Sequence, residues 1–205
     1  MKPILFSTPM VQAILDGRKT QTRRVVKING CPITSPKESL ELTKEGLIYH
    51  SFCSMSGYYK PLCQPGDILW VRETWATVSS GIIEYKATYI EPYTGSTEID
   101  HIGKKITWRP SIHMPRAAAR IFLRVTNVRV ERLWDITETD VRKEGFSDHF
   151  DIETDTFYPC GYFFKHTWNS LYAKRGLGWD TNPWVWVIEF NCESPGLLML
   201  EGKTA

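Results

Sequence analysis

Gly17-Arg18-Lys19-Thr20-Gln21-Thr22-Arg23-Arg24 holds four basic residues, two hydroxyls and no acid. A helix delivers this stretch: Thr8-Pro9 reads as an N-cap and the proline tolerated at the first helical position, and Met10, Val11, Ile14 and Leu15 recur at helical spacing. Gly17 reads as the stop, because glycine takes a left-handed conformation without a Cβ clash. The chain then turns into a strand from Thr22 to Val26, with Lys19 in or just after the turn. On a regular strand, residues of odd separation face opposite ways, so only a turn or bulge brings Lys19 and Thr22 together. The alternative is that Arg18 and Lys19 complement the helix dipole while Arg23 and Arg24 are solvated.

With 205 residues, 42% of them hydrophobic, the chain is long enough to bury a core as one domain or one domain with an insertion. A formal charge of +2 is too mild to mark a nucleic-acid binder, so that case rests on where the charges lie. The opening Met1 to Phe6 lacks the long apolar run and cleavage site of a signal peptide, and no later run approaches a membrane span. The five cysteines form no Cys-x-x-Cys pair, and the five histidines are scattered. These patterns predict a cytoplasmic protein with reduced thiols, no cofactor and no structural metal.

Outward from the basic turn, Ile4 to Ser7 reads as an opening strand, and residues 29–62 read as a surface insertion able to hold a hairpin, being broken by Gly, Pro and Ser. Gln64 to Asp67 is a turn, and Ile68 to Thr74 a strand carrying Arg72 and Glu73 among apolar residues. Such charges are either paired or functional. Ile82 to Tyr89 alternates as a strand, and Tyr93 to Ser96 is a polar loop. From Lys104 to Arg132 there are eight basic residues and one acid, Glu131. If several share a face with Lys19, Arg23 and Arg24 they form a phosphate-binding surface; dispersed, they serve solubility.

Two prolines make Trp108 to Arg116 an extended segment able to position Trp108, Arg109 and Arg116. Ile121, Leu123 and Val125 lie on one parity and Val128 and Val130 on the other, which predicts a bulge near Asn127. Thr137 and Asp140 cap a short helix from Glu138 to Glu144, with Gly145 as its stop. Glu144 then sits where the negative dipole end opposes ionisation, a position suited to a proton donor. Asp148 to Cys160 reads as a polar mobile loop, Tyr162 to Ala173 as a helix with an aromatic inner face, and Trp184 to Phe190 as a closing strand.

Gly17, Lys19, Thr22 and Arg24, then Pro65-Gly66-Asp67-Ile68-Leu69-Trp70-Val71-Arg72-Glu73-Thr74-Trp75, then the Trp184 to Phe190 strand, resemble an ASCH domain. The resemblance is to the longer members found in tailed phages and prophages and covers the chain apart from residues 29–62 and the tail. It implies an α+β, mainly β fold: a PUA-like β-barrel with flanking short helices and the 29–62 insertion. Residues 1–195 would form one domain and 196–205 a flexible tail. Small bacterial relatives are N4-acetylcytidine amidohydrolases. By motif position their lysine base falls on Lys19, their threonine nucleophile on Thr22 and their glutamate acid on Glu144. Where the longer proteins commonly carry Trp after Met-Pro-Arg, this chain has Ala117, which removes a stacking surface.

Two readings follow. As an amidohydrolase, the chain brings Lys19, Thr22 and Glu144 together around an amide, with Lys19 deprotonated near neutrality by burial and by Arg18, Arg23 or Arg24. As a binding module for RNA, single-stranded nucleic acid or a modified nucleoside, it uses the same cleft without chemistry. Gly17, Arg18, Arg23, Arg24, Arg72, Glu73, Trp75, Arg109 and Arg116 are the candidate binding residues under either. A metal-independent nuclease is a third, weaker alternative.

Overall fold

The computed structural model describes residues 1–35, 39–43, 46–52, 55–90, 98–100 and 102–193. Tyr93 to Ser96, Cys53, His101 and the 196–205 tail lie outside these residues. The architecture is α+β and mainly strand, with short helices, and among the described residues the strand pairings form open sheets.

In chain order the elements begin with β1 (Lys2–Leu5), α1 (Thr8–Leu15), β2 (Gln21–Val25), β3 (Lys27–Ile28) and β4 (Cys31–Pro32). The next are β5 (Ser39–Leu42), β6 (Ile48–Phe52), β7 (Met55–Tyr59), β8 (Ile68–Arg72), β9 (Trp75–Thr77) and β10 (Ile83–Tyr85). The long β11 (Phe122–Arg132) leads to α2 (Glu138–Lys143), β12 (His149–Asp151), β13 (Thr156–Tyr158), α3 (Cys160–Tyr172) and β14 (Trp184–Glu193). They form two compact units, one of residues 1–17, 67–124 and 192–205, the other of residues 18–66 and 125–191.

In the first unit β8 pairs in parallel with β1 and antiparallel with the start of β11, placing Phe122 opposite Trp70 and Arg124 opposite Ile68. Helix α1 starts one residue earlier than its composition suggests: Ser7 is the N-cap, Thr8 and Pro9 open the first turn, and Val11, Ala13 and Ile14 are buried. Gly17 takes φ of 73°, the left-handed value expected of its stop. Strand pairing is confined to Ile83–Tyr85 within the alternating Ile82 to Tyr89. The Trp108 to Arg116 segment is not simply extended, because Pro110 and Pro115 each introduce a 3-10 turn, Ser111–His113 and Arg116–Ala118. Met114 between them is fully buried against Trp75 and Ala118.

In the second unit β14 runs between β11 and β2, pairing antiparallel with β2 so that Ile188 opposes Thr22 and Val187 opposes Arg23. Val185, Trp186, Val187 and Ile188 are buried without alternation, because an inner strand is covered on both faces. Helices α2 and α3 cover it through Leu133, Val141, Cys160, Phe164, Trp168, Val185 and Val187. The insertion holds a three-stranded antiparallel meander, β5-β6-β7, rather than a single hairpin. The expected loop after Asp148 is a short hairpin, β12 paired with β13. Along β11, Leu123 and Val125 are buried, Thr126 and Asn127 are both exposed, and Val128 is buried, so the apolar face changes parity where the sequence places a bulge.

Candidate functional site

The second unit holds Lys19, Thr22, Arg23 and Glu144; hydrogen bonds join Lys19 and Arg23 to Glu144, while the Thr22 hydroxyl meets Arg24. Thr137 caps α2 by accepting from the Asp140 N–H while the Asp140 carboxylate accepts from the Thr137 N–H, which fixes where the helix begins. Glu144 is the C-cap and Gly145 turns the chain with φ of 94°. Lys19 pairs with Glu144 as an isolated antiparallel bridge, and the Thr20 N–H donates to the Lys143 carbonyl at 2.9 Å. On the other side the Phe190 N–H donates to the Thr20 carbonyl at 2.9 Å. The two residues before β2 are thus clamped by backbone bonds to α2 and to β14.

Lys19 Nζ donates to Glu144 Oε2 at 2.8 Å, to the Gln21 carbonyl at 2.8 Å and to the Glu144 carbonyl at 2.9 Å. Three acceptors match the three donors of an ammonium. Lys19, Glu144 and Thr22 are 3%, 4% and 1% exposed, so the trio lies beneath the surface. Burial drives the Lys19 ammonium below its usual 10.5; Glu144 opposes the shift by its charge and hydrogen bond, and Arg24 and Arg23 add repulsion. Burial and arginine repulsion are both expected from the sequence, and burial is the larger of the two. The Thr22 hydroxyl accepts from Arg24 Nη1 at 2.8 Å, a bond that orients it from within its own strand.

Arg23, 2% exposed, reaches Glu144 Oε1 at 3.3 Å through Nη1, and Glu131 Oε1 at 2.5 Å and Asp140 Oδ2 at 3.4 Å through Nη2. Its Nε is buried with no acceptor among the described residues. Arg129 ties Glu131, Asp140 and Glu189 together from β11. Burial disfavours the charged Asp140 carboxylate, but hydrogen bonds from Thr137 and the charge of Arg23 outweigh this and hold it down at about 2. Arg18 donates to the Gly145 carbonyl at 2.8 Å, so it fastens the end of α2.

Glu131, Asp140, Arg129 and Glu189 were not among the residues singled out as candidates. The one available signal was Glu131, the lone acid in a basic stretch.

Arg72, Glu73, Trp75, Arg109 and Arg116 lie in the first unit, as does Gly17. Glu73, 1% exposed, takes a two-pronged bond from Arg120 at 2.9 and 2.9 Å, and the Arg120 guanidinium lies 3.9 Å from the Tyr85 ring centroid. Arg72 donates to the carbonyls of Ile112 and Met114, pinning the proline loop. Trp75 and Arg109 exchange backbone hydrogen bonds, and the Arg109 guanidinium sits 5.1 Å from the Trp75 ring. Arg116 is exposed and donates to the Met1 sulfur at 3.0 Å.

The basic stretch is therefore not one phosphate surface. Arg120, Arg124 and Arg129 are paired with carboxylates, and Arg132 donates to the carbonyls of Ser35 and Asn182. Lys104, Lys105, Arg109 and Arg116 are the exposed remainder.

Cys31, Cys160 and Cys192 are free thiols. Among the described residues Glu138, Asp148 and Cys160 approach one another closely enough to share an ion, but Arg142 already bonds both carboxylates at 2.7 Å. No helix among the described residues is long and apolar enough to cross a membrane.

No protein-family model matches the chain, and no curated protein matches it. Among solved structures, the chain is similar to a crystal structure of a protein from Enterococcus faecalis V583 described by the family model DUF984. The identity is 11%, over 95% of this chain and 82% of that one, with a TM-score of 0.42.

Proposed function

We propose that this chain is a PUA-like, ASCH-type protein that takes a modified nucleoside and hydrolyses an N-acyl amide on it, N4-acetylcytidine being the type substrate. The observation that carries this reading is the 2.8 Å bond between Lys19 and Glu144, with the lysine held below its ordinary pKa by burial. Moving one proton along that bond converts ammonium and carboxylate into free amine and carboxylic acid. That neutral pair is a base and an acid side by side, which is what amide cleavage needs.

In the proposed step Thr22 Oγ attacks the amide carbonyl carbon and its proton passes to the Lys19 amine. The carbon–nitrogen bond then breaks, and the exocyclic nitrogen leaves with the proton of the Glu144 carboxyl. Water hydrolyses the resulting Thr22 ester, releasing acetate and restoring the hydroxyl. Arg24, bonded to Thr22 Oγ1, directs the hydroxyl.

A second reading, a non-catalytic binder of RNA or single-stranded nucleic acid, is favoured by a different observation. The Lys19 donors are fully engaged and the trio is nearly inaccessible, as in a structural ion pair. Acetate release from N4-acetylcytidine by the full chain and by Lys19→Ala separates the two. The first reading expects turnover that Lys19→Ala abolishes. Equal release by both proteins discards the first reading, and no release by the parent together with salt-sensitive RNA binding that survives Thr22→Ala selects the second.

A further inference from the structure

The β12–β13 hairpin is short, two-stranded and unusually apolar on its outside. Phe150 and Phe157 oppose each other in register and are 52% and 60% exposed, and Ile152 at the turn is 86% exposed. The opposite face is occupied: His149 and Tyr158 pack against Phe163, and Tyr158 also meets Tyr162. A hairpin of three residues per strand is marginal by itself, so this aromatic seat on α3 keeps it folded while leaving the Phe150–Phe157 face bare. Among the described residues no third strand joins the sheet, so both edges offer backbone donors and acceptors.

The segment itself carries one sign of charge. From Phe146 to Phe164 there is no lysine or arginine, whereas Asp148, Asp151, Glu153 and Asp155 fall within that stretch. Asp148 is engaged by Arg142 and by the Cys160 N–H, so Asp151, Glu153 and Asp155 give the hairpin its charge. Hydrogen bonds from Thr154 and Glu153 hold the Asp151 carboxyl below its ordinary value. Glu153 and Asp155 are exposed. An apolar face in an acidic frame repels polyanions and matches a cationic, apolar polypeptide.

We propose that this hairpin is a docking edge for an extended segment of a partner protein. The segment adds as a third strand, laying apolar side chains on Phe150 and Phe157 and lysines or arginines against Glu153 and Asp155. The proposal is independent of the chemistry assigned to Lys19.

The test is an amide chemical-shift titration of the full chain with a peptide of roughly ten residues alternating valine and lysine, which is long enough to pair with one edge. The expected result is saturable shifts in His149–Tyr158, with binding weakened about tenfold by raising salt from about 0.05 M to about 0.5 M. Phe150→Ser with Phe157→Ser should weaken it by at least about tenfold, as should Glu153→Gln with Asp155→Asn. All four residues are exposed, and circular dichroism checks that each variant stays folded. Any of three results overturns the proposal: no shifts in the hairpin, equal binding of a valine and glutamate peptide, or hairpin shifts with oligouridylate. Self-association of the parent that Phe150→Ser abolishes would assign the face to a second copy instead and overturn it equally.

Discussion

Lys19 is an ammonium removed from water and given three acceptors in return, one of them charged. Such a site is electrostatically two-edged, since the partner that stabilises the charge also competes for the proton. Because burial lowers the folded pKa, between that lowered value and 10.5 the unfolded chain binds more protons at this position than the folded one. Stability contributed by this group therefore rises with pH across that window. Urea unfolding of the parent and of Lys19→Met, at about pH 8 and about pH 10, should show the parent's relative stability increasing with pH. If the lysine is the base in acyl transfer, acetate release should rise with pH through the same lowered value, reporting a group below 10.5. A pH-independent stability difference would mean that Lys19 titrates as an ordinary lysine.

At the scale of elements, α2 is the part that decides where Glu144 stands. Its capping box joins Thr137 and Asp140, and the same Asp140 carboxylate receives Arg23 and Arg129. Thr137→Ala should cost about 1 kcal/mol in thermal or urea unfolding, the usual loss for a capping hydroxyl, and should raise the KM or lower the kcat of any activity at Lys19. An unchanged midpoint would show that the box is ornamental. This helix was legible in the sequence because caps are local chemistry: Thr137, Asp140, Glu144 and Gly145 lie within one short span. The bond of Glu144 to Lys19 was suggested only by the family resemblance, for the two are 125 residues apart and no periodicity links them.

The Arg23 cluster was illegible for the same reason, its acids arriving from β11 and α2. The β12–β13 hairpin was misread because Phe150 and Phe157 stand among acids, so its apolar face follows from register rather than composition. The meander in the insertion was hidden by serines and glycines, which weaken a strand pattern without preventing pairing.

On the scale of the whole molecule, each compact unit has a buried carboxylate answered by arginine: Glu144 with Arg23 in one, Glu73 with Arg120 in the other. Breaking such a pair costs more than the pair contributes, since the remaining charge stays out of water. Arg120→Met should destabilise the chain by about 3 kcal/mol, the low end for a buried pair because the arginine side chain is 26% exposed. Adding Glu73→Gln should restore much of that loss, and amide hydrogen exchange should place the loosening at β8 and the Met114 loop. If the single variant is as stable as the parent, Glu73 has another partner.

The paired exposure of Thr126 and Asn127 in β11 carries a geometric corollary. Beyond that offset, Arg129 and Glu131 turn to the side opposite Val128, where they engage Arg23 and Asp140. In an uninterrupted pleat of the same sequence the odd-numbered Arg129 and Glu131 would share a face with Leu123 and Val125, so the change of parity is what sets both charges on the other side. The carboxylate of Glu131 thus owes its direction to an offset a few residues upstream in its own strand, whereas Arg23 keeps Asp140 and Glu144 whichever way Glu131 points.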